Sequence, residues 1–313
     1  MRIAFLGTPE FALPSLQMLF DEGHEIAVFT QPDRPRDRGH GLAMPPVKEL
    51  ALSLGLPVYQ FGRIRNEDGV CALREFAPDL MVTAAFGQLL SQENLDIPKY
   101  GCINVHGSLL PKYRGAAPIQ WAVVNGERVT GVTTMLTELG LDTGDMLMKA
   151  ETEIGANETA GELYSRLAVV GAQLLKETIS ALEDGTLTRT PQNEDEASYC
   201  GMIKKLMAAI DFSGTVSRVH DLVRGMNPAP MAFTFFEGAP MKVIATRKEC
   251  PYEVEYGEAA PGECVIADSR RGLFVKCADG LIEIAELQFA GSKRMPAKAA
   301  LNSKAMLHKV LGQ

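Results

Sequence analysis

Five short apolar runs, separated by helix-patterned segments, constrain this 313-residue chain more than any other feature. Ile3–Gly7, Glu25–Thr30, Asp79–Ala85, Gly101–Val105 and Gly131–Leu136 have the length and apolar content of strands buried on both faces. Glu10–Phe20 carries a helical pattern. Val47, Leu50, Ala51 and Leu54 fall at helical spacing, with Gly55 and Pro57 as stop signals. Thr159 and Glu162 have capping-box spacing, and they open a helix with the apolar stripe Leu163, Leu167, Val170 and Leu174. Strands alternating with helices predict an α/β fold, a Rossmann-like and mostly parallel sheet with right-handed crossovers. Ligands of such sheets bind outside the carboxyl ends of the strands.

The pattern changes in the second half. Asp184–Ser198 is polar, acidic and interrupted by Pro191, which reads as a connection. Beyond it, Thr234–Phe236, Met241–Thr246, Glu263–Ala267, Leu273–Cys277 and Leu281–Leu287 are short strand candidates. The turn signals Glu237-Gly238, Arg271-Gly272 and Asp279-Gly280 separate several of them. Five short strands predict a small OB-like β-barrel. The expected organisation is a Rossmann-like domain over 1–188, a linker over 189–205 and the OB-like domain over 206–313.

Several function classes fall away at this level. Gly7-Thr8-Pro9-Glu10 follows the first strand, and neither G-x-G-x-x-G nor G-x-x-x-x-G-K-[ST] is present. No turn is therefore built to cradle a pyrophosphate, and no NAD is expected. None of the six cysteines lies two residues from another, and no cysteine–histidine cluster has metal-ligand spacing, so no metal is expected. The amino terminus lacks a basic region followed by an apolar run and a small-residue cleavage site. No uncharged apolar stretch approaches the ~20 residues that span a bilayer. A cytoplasmic protein with no membrane partner is expected, and nothing demands more than a monomer. The net charge is −8, yet residues 206–313 hold 13 Lys and Arg against 12 Asp and Glu. Residues 291–313 contain Lys293, Arg294, Lys298, Lys304 and Lys309 and no acid, which is either a polyanion footprint or a solvated face.

The chemistry-bearing stretch is Gly101–Pro118. Asn104 and His106 stand two apart at a strand end, so their side chains project from one face. Asn supplies an amide donor, and His exchanges a proton near neutral pH. Polar residues are costly inside a parallel sheet, which favours a functional over a packing role. A second turn, Asp142-Thr143-Gly144, follows another strand candidate; alone it reads as an Asx turn.

The run Asn104–Ser108 with Leu109-Leu110-Pro111-Lys112-Tyr113-Arg114-Gly115-Ala116-Ala117-Pro118-Ile119-Gln120-Trp121 resembles the signature of the folate-dependent formyltransferases, and Asp142-Thr143-Gly144 resembles their second motif. Leu6-Gly7-Thr8-Pro9, Phe29-Thr30-Gln31-Pro32-Asp33-Arg34-Pro35 and Arg224-Gly225-Met226-Asn227-Pro228 resemble the branch that acts on a charged tRNA. Phe212 and Ala229 stand where tryptophan is common in that branch.

The resemblance implies 10-formyltetrahydrofolate as the donor and the α-amino group of initiator methionyl-tRNA as the acceptor. It implies Asn104 as oxyanion donor, His106 as base and Asp142 as its partner. It assigns folate contacts to Ser108, Leu109, Leu110 and Pro111 and to Phe86, Gly87, Gln88, Leu89 and Leu90. Arg34, Arg36 and Arg38, in a Pro/Gly-containing loop, and Lys204 and Lys205, at the domain junction, are the expected tRNA contacts. A sibling enzyme that formylates an amino sugar on a nucleotide carrier, with the same three catalytic residues, is the alternative.

Overall fold

The computed structural model describes residues 1–35 and 42–312, which cluster into two compact units. The first unit is built on a seven-stranded sheet. Its strands are β1 (Arg2–Gly7), β2 (Glu25–Thr30), β3 (Val58–Gln60), β4 (Leu80–Ala84), β5 (Cys102–His106), β6 (Val129–Leu136) and β7 (Met146–Glu153). They lie in the order β7-β6-β5-β4-β1-β2-β3. β3, β2, β1, β4 and β5 are mutually parallel, and β6 runs antiparallel to β5. The predicted mostly parallel sheet is thus observed, with a reversal beyond β5.

The apolar runs form strands because both faces are covered. Ile3, Ala4, Phe5 and Leu6 of β1 and every residue of β4 are buried. The covering helices include α1 (Leu13–Asp21), α2 (Pro46–Ser53), α3 (Glu67–Phe76) and the long α5 (Ala160–Glu183). The start of α5 is fixed as expected: Thr159 N–H donates to Glu162 Oε2 at 2.9 Å, and Glu162 N–H donates to Thr159 Oγ1 at 3.2 Å. Leu163, Leu167 and Leu174 of its stripe are buried. Thr178 on the same helix makes a buried hydroxyl contact with Thr134 of β6 at 2.8 Å.

The second unit carries an antiparallel sheet. β8 (Phe233–Phe236), β9 (Ala239–Arg247), β10 (Cys264–Asp268), β11 (Gly272–Lys276) and β12 (Leu281–Phe289) occur in the order β8-β9-β12-β11-β10. Met295–Pro296 adds a short pairing along β12. All five strand candidates are present. Helix α6 (Val216–Gly225) is capped by Thr215, whose hydroxyl accepts from Arg218 N–H, and it buries Val219 and Val223 in the same core as Phe212, Met241, Ile282, Ile284 and Leu287. Ala229 is exposed.

The units are not the contiguous blocks 1–188 and 206–313 expected from the pattern change. The second unit also takes Ile119–Arg128, most of helix α4 (Pro118–Val124), and Glu153–Leu163. Local bonding explains the assignment. Trp121 Nε1–H donates to Gly201 O, and Gln120 Nε2 to Ala229 O, both at 2.8 Å. The buried Arg224 guanidinium donates to the carbonyls of Gly155 and Glu158, and His220 Nε2–H to that of Ala156. The expected linker 189–205 is divided as well, with its residues up to Cys200 belonging to the first unit. Among the described residues, no helix is long and apolar enough to cross a membrane.

Candidate active site

Parallel strands β1, β4 and β5 end at Gly7, Ala84 and His106, and their carboxyl ends open on the predicted ligand side. Thr83 on β4 is in register with Asn104 on β5. Its hydroxyl donates to Asn104 Oδ1 at 2.9 Å. That bond fixes which way the amide points: the oxygen is occupied, and the Nδ2 hydrogens find no acceptor among the described residues.

His106 is buried, and its two ring nitrogens have different partners. Nε2 lies 2.9 Å from Tyr113 O. A carbonyl can only accept, so Nε2 carries the hydrogen, and in the neutral ring Nδ1 keeps its lone pair. Nδ1 faces Asp142 Oδ2 at 3.8 Å, an ion-pair separation rather than a hydrogen bond. A proton taken up on Nδ1 would therefore meet a carboxylate. Tyr113 O thus fixes the ring orientation, and Asp142 lies at ion-pair distance from the other ring nitrogen.

Asp142 is held in a tight turn. It adopts a left-handed conformation at φ 52°, costly for a residue with a Cβ. Oδ2 accepts from Gly115 N–H at 2.8 Å. Gly144 closes the turn where a Cβ would lie 2.0 Å from Leu136 O, so no larger residue fits. Gln192 reaches across with Nε2, donating to Asp142 O and to Gly144 O, both at 2.8 Å.

Behind this turn lies Arg114, the largest of the fully buried side chains. Its Nε–H donates to Gln192 Oε1 at 2.9 Å, while its two η nitrogens grip Glu194 at 2.7 and 2.9 Å and Nη1 also donates to Tyr199 OH at 2.9 Å. Glu194 in turn holds the guanidinium charged, and the Arg114 bond draws the Glu194 carboxyl below its ordinary value. Residues 198–200 run parallel to 114–115: Arg114 N–H donates to Ser198 O and Ala116 N–H to Cys200 O. Gly115 sits at φ 103° where a Cβ would come 2.5 Å from Cys200 O. The acidic stretch read as a connection is therefore bound along the site over 190–200. In the sequence, Gln192 and Glu194 carry no mark of this role, and Arg114 stands only inside a motif. A polar residue in an acidic run gives no signal of a partner fifty positions away.

The expected folate contacts divide by environment. Ser108 is buried, its hydroxyl donating to Lys112 O at 2.7 Å and its carbonyl accepting from Thr133 Oγ1. Leu110 packs with Met135 and Met146, and Pro111 is buried behind it. Phe86 belongs to the core around Leu6, Phe29 and Met81, with Leu90 against it. Gln88 is engaged at both ends, accepting from Ile64 N–H at 2.7 Å and donating to Phe61 O at 2.8 Å. Leu109 is half-buried, whereas Gly87 and Leu89 are exposed.

Of the expected tRNA contacts, Arg36 and Arg38 lie outside the described residues. Arg34 is exposed in a two-residue pairing of 34–35 with 42–43, and its guanidinium donates to Gln31 Oε1. The base of this segment is anchored by Asp33, which accepts from Lys48 Nζ at 2.7 Å and from Gln60 Nε2 at 2.8 Å. The Lys48 bond, more than the Gln60 bond, lowers the Asp33 carboxyl below its ordinary range. In the second unit, Lys204 and Lys205 are both exposed.

Residues 1–179 match the family model for the formyl transferases, and residues 202–305 match the model for the formyl transferase C-terminal domain. The chain belongs to the formyltransferase family. Two relatives agree over nearly its whole length. This formyltransferase is 53% identical to methionyl-tRNA formyltransferase of Ruminiclostridium cellulolyticum over 302 residues, 95% of each chain. It is 50% identical to methionyl-tRNA formyltransferase of Acetivibrio thermocellus over 315 residues, the whole of both. Among solved structures, an N-formyltransferase from Helicobacter canadensis in complex with folinic acid and dTDP-3-aminofucose shares the fold. Its TM-score is 0.66 at 20% identity, over 90% of this chain and 98% of that one.

Proposed function

We propose that this formyltransferase moves the formyl group of 10-formyltetrahydrofolate to the α-amino group of initiator methionyl-tRNA, with Asn104, His106 and Asp142 carrying the chemistry. The observation that carries the reading is the division of labour at the end of β5. Asn104 has its oxygen tied to Thr83 and His106 has Nε2 tied to Tyr113 O, so each is left with one free face, a donor and a base.

The amine nitrogen attacks the formyl carbon, forming a C–N bond as the carbonyl π pair moves to oxygen. Asn104 Nδ2 donates to that oxygen; such a donor is worth about 3 kcal/mol in the transition state. His106 Nδ1 takes the proton that the attacking nitrogen sheds, and the Asp142 carboxylate favours the imidazolium so formed. Collapse of the tetrahedral centre breaks the bond to the folate nitrogen, which receives the proton back from Nδ1. The donor's apolar ring system is assigned to the loops 86–90 and 108–111, chiefly through Gly87, Leu89, Leu109 and main-chain groups, since Phe86, Leu110 and Pro111 are committed to packing. Arg34, Arg36, Arg38, Lys204 and Lys205 supply phosphate contacts.

Near 50% identity over full length to methionyl-tRNA formyltransferases supports this acceptor over an amino sugar, because the sugar-acting relative shares the fold at 20% identity. The test is formyl transfer from 10-formyltetrahydrofolate to initiator methionyl-tRNA, elongator methionyl-tRNA and an amino-sugar nucleotide in parallel. Transfer to the initiator tRNA alone is expected. Transfer only to the sugar would keep the three-residue chemistry and overturn the acceptor.

A further inference from the structure

Gln192 has no assigned part in the reaction, yet it uses its whole amide on the Asp142 turn and on Arg114. Both of its amide hydrogens are used, one on Asp142 O and one on Gly144 O, each at 2.8 Å. Its oxygen accepts from Arg114 Nε–H at 2.9 Å. A primary amide can rotate by half a turn with little change in shape, which would aim its oxygen at two carbonyls. The Arg114 bond forbids that rotation, since Nε has only a hydrogen to offer. The guanidinium is itself wholly buried and gripped by both oxygens of Glu194 and by Tyr199 OH.

The object so held needs holding. Asp142 sits in a left-handed conformation that its own backbone disfavours, and its carboxylate must stay 3.8 Å from His106 Nδ1 while also accepting from Gly115 N–H. Gly115 adjoins Arg114, so both ends of the assembly trace back to one residue: Arg114 fixes Gln192, which fixes the Asp142 main chain, and its neighbour fixes the Asp142 side chain.

We infer that Gln192 is a positioning residue for catalysis, a clamp on the Asp142–Gly144 turn set by Arg114 and Glu194, so that the segment joining the two halves of the chain is part of the active site. The inference rests on the assignment of Asp142 to the reaction. Loss of the clamp leaves two carbonyls without their donors and lets the turn relax, and displacements of about 1 Å at a reacting group cost about 100-fold in rate.

The test uses the full chain with 10-formyltetrahydrofolate and initiator methionyl-tRNA. Gln192→Ala removes the clamp. Gln192→Glu keeps its size and its bond from Arg114 but offers no hydrogen to either carbonyl, and it serves if the alanine variant folds poorly. Each is expected to lower kcat about 10- to 100-fold per folded molecule, with KM for both substrates within about threefold. The deciding measurement is the cycle with Asp142→Asn. If Gln192 acts through Asp142, the double variant is no slower than Asp142→Asn alone. A Gln192 loss that persists in full in the Asp142→Asn background overturns the clamp and leaves the role of Asp142 standing, as does a wild-type kcat for both Gln192 variants. Wild-type kcat in Asp142→Asn overturns the assignment of Asp142 and the clamp together.

Discussion

The buried guanidinium of Arg114 makes a quantitative prediction, because its four hydrogen bonds lead to partners in different environments. Arg114→Lys keeps the charge but replaces a planar fork by a single point with shorter reach. A lysine can still meet Glu194, and it cannot also reach Gln192 Oε1 and Tyr199 OH. The side chains of Glu194 and Tyr199 are mostly exposed, 69% for Glu194 and 62% for Tyr199 as a whole residue, so water replaces what they lose at little cost. Gln192 is half-buried, and its oxygen is left facing the space the guanidinium occupied. The penalty therefore concentrates on one charge-assisted hydrogen bond and on the poorer solvation of the buried cation, together about 2–3 kcal/mol. For a unit of this size each kcal/mol shifts the midpoint by about 2–4 °C, which gives a fall of about 4–12 °C by calorimetry. Glu194→Gln keeps one acceptor but removes the charge facing the buried guanidinium, so it is expected to lower the midpoint as well. A melting temperature for Arg114→Lys within 1 °C of the parent would refute the claim that Arg114 holds the 190–200 segment in place.

Two further outcomes follow from the site. Asn104→Ala is expected to lower kcat by about 100- to 1000-fold with folding intact, the cost of one oxyanion donor, and a loss below tenfold in the formylation assay would remove Asn104 from that role. Burial first, and the Asp142 carboxylate second, push the Cys200 thiol up to about 11. At pH 8 roughly one Cys200 in a thousand is then a thiolate, so site-resolved alkylation should rise about tenfold per pH unit through pH 9 and be faster in Asp142→Asn; a plateau by pH 9 would refute the raised thiol, and an unchanged rate in Asp142→Asn would show that the carboxylate does not bear on the sulfur.

How much of this was legible in the sequence depends on how local the cause is. The buried strands β1, β2, β4 and β5 announce themselves because covering both faces of a parallel strand demands an unbroken apolar run. Strand β3, three half-buried residues at the sheet edge, has no such demand and left no trace. In helix α3, Gly69 dilutes the apolar pattern that Val70 and Leu73 would otherwise make. The five short strands of the second unit were legible from their turns, whereas the attachment of residues 119–128 and 153–163 to that unit was not. It depends on bonds such as Arg224 to the carbonyls of Gly155 and Glu158, which join main-chain groups that carry no side-chain signature.

The same distinction separates the residues proposed to react from the ones that hold them. Asn104 and His106 are visible because two polar side chains at the end of an apolar strand are costly unless used. Asp142 became readable only beside the family motif, since an Asp-Thr-Gly turn alone has an ordinary explanation. Gln192, Arg114 and Glu194 sit where polar residues are ordinary, in an exposed acidic stretch and in a loop, and only their mutual geometry sets them apart. That geometry explains why the connecting segment bears a Gln-x-Glu pair rather than a flexible run. A tether need only span a distance, but a segment that clamps a left-handed aspartate must present its donors and acceptor in one fixed arrangement. A buried arginine with a carboxylate on its outer side is one way a short, solvent-facing stretch can be held that rigidly.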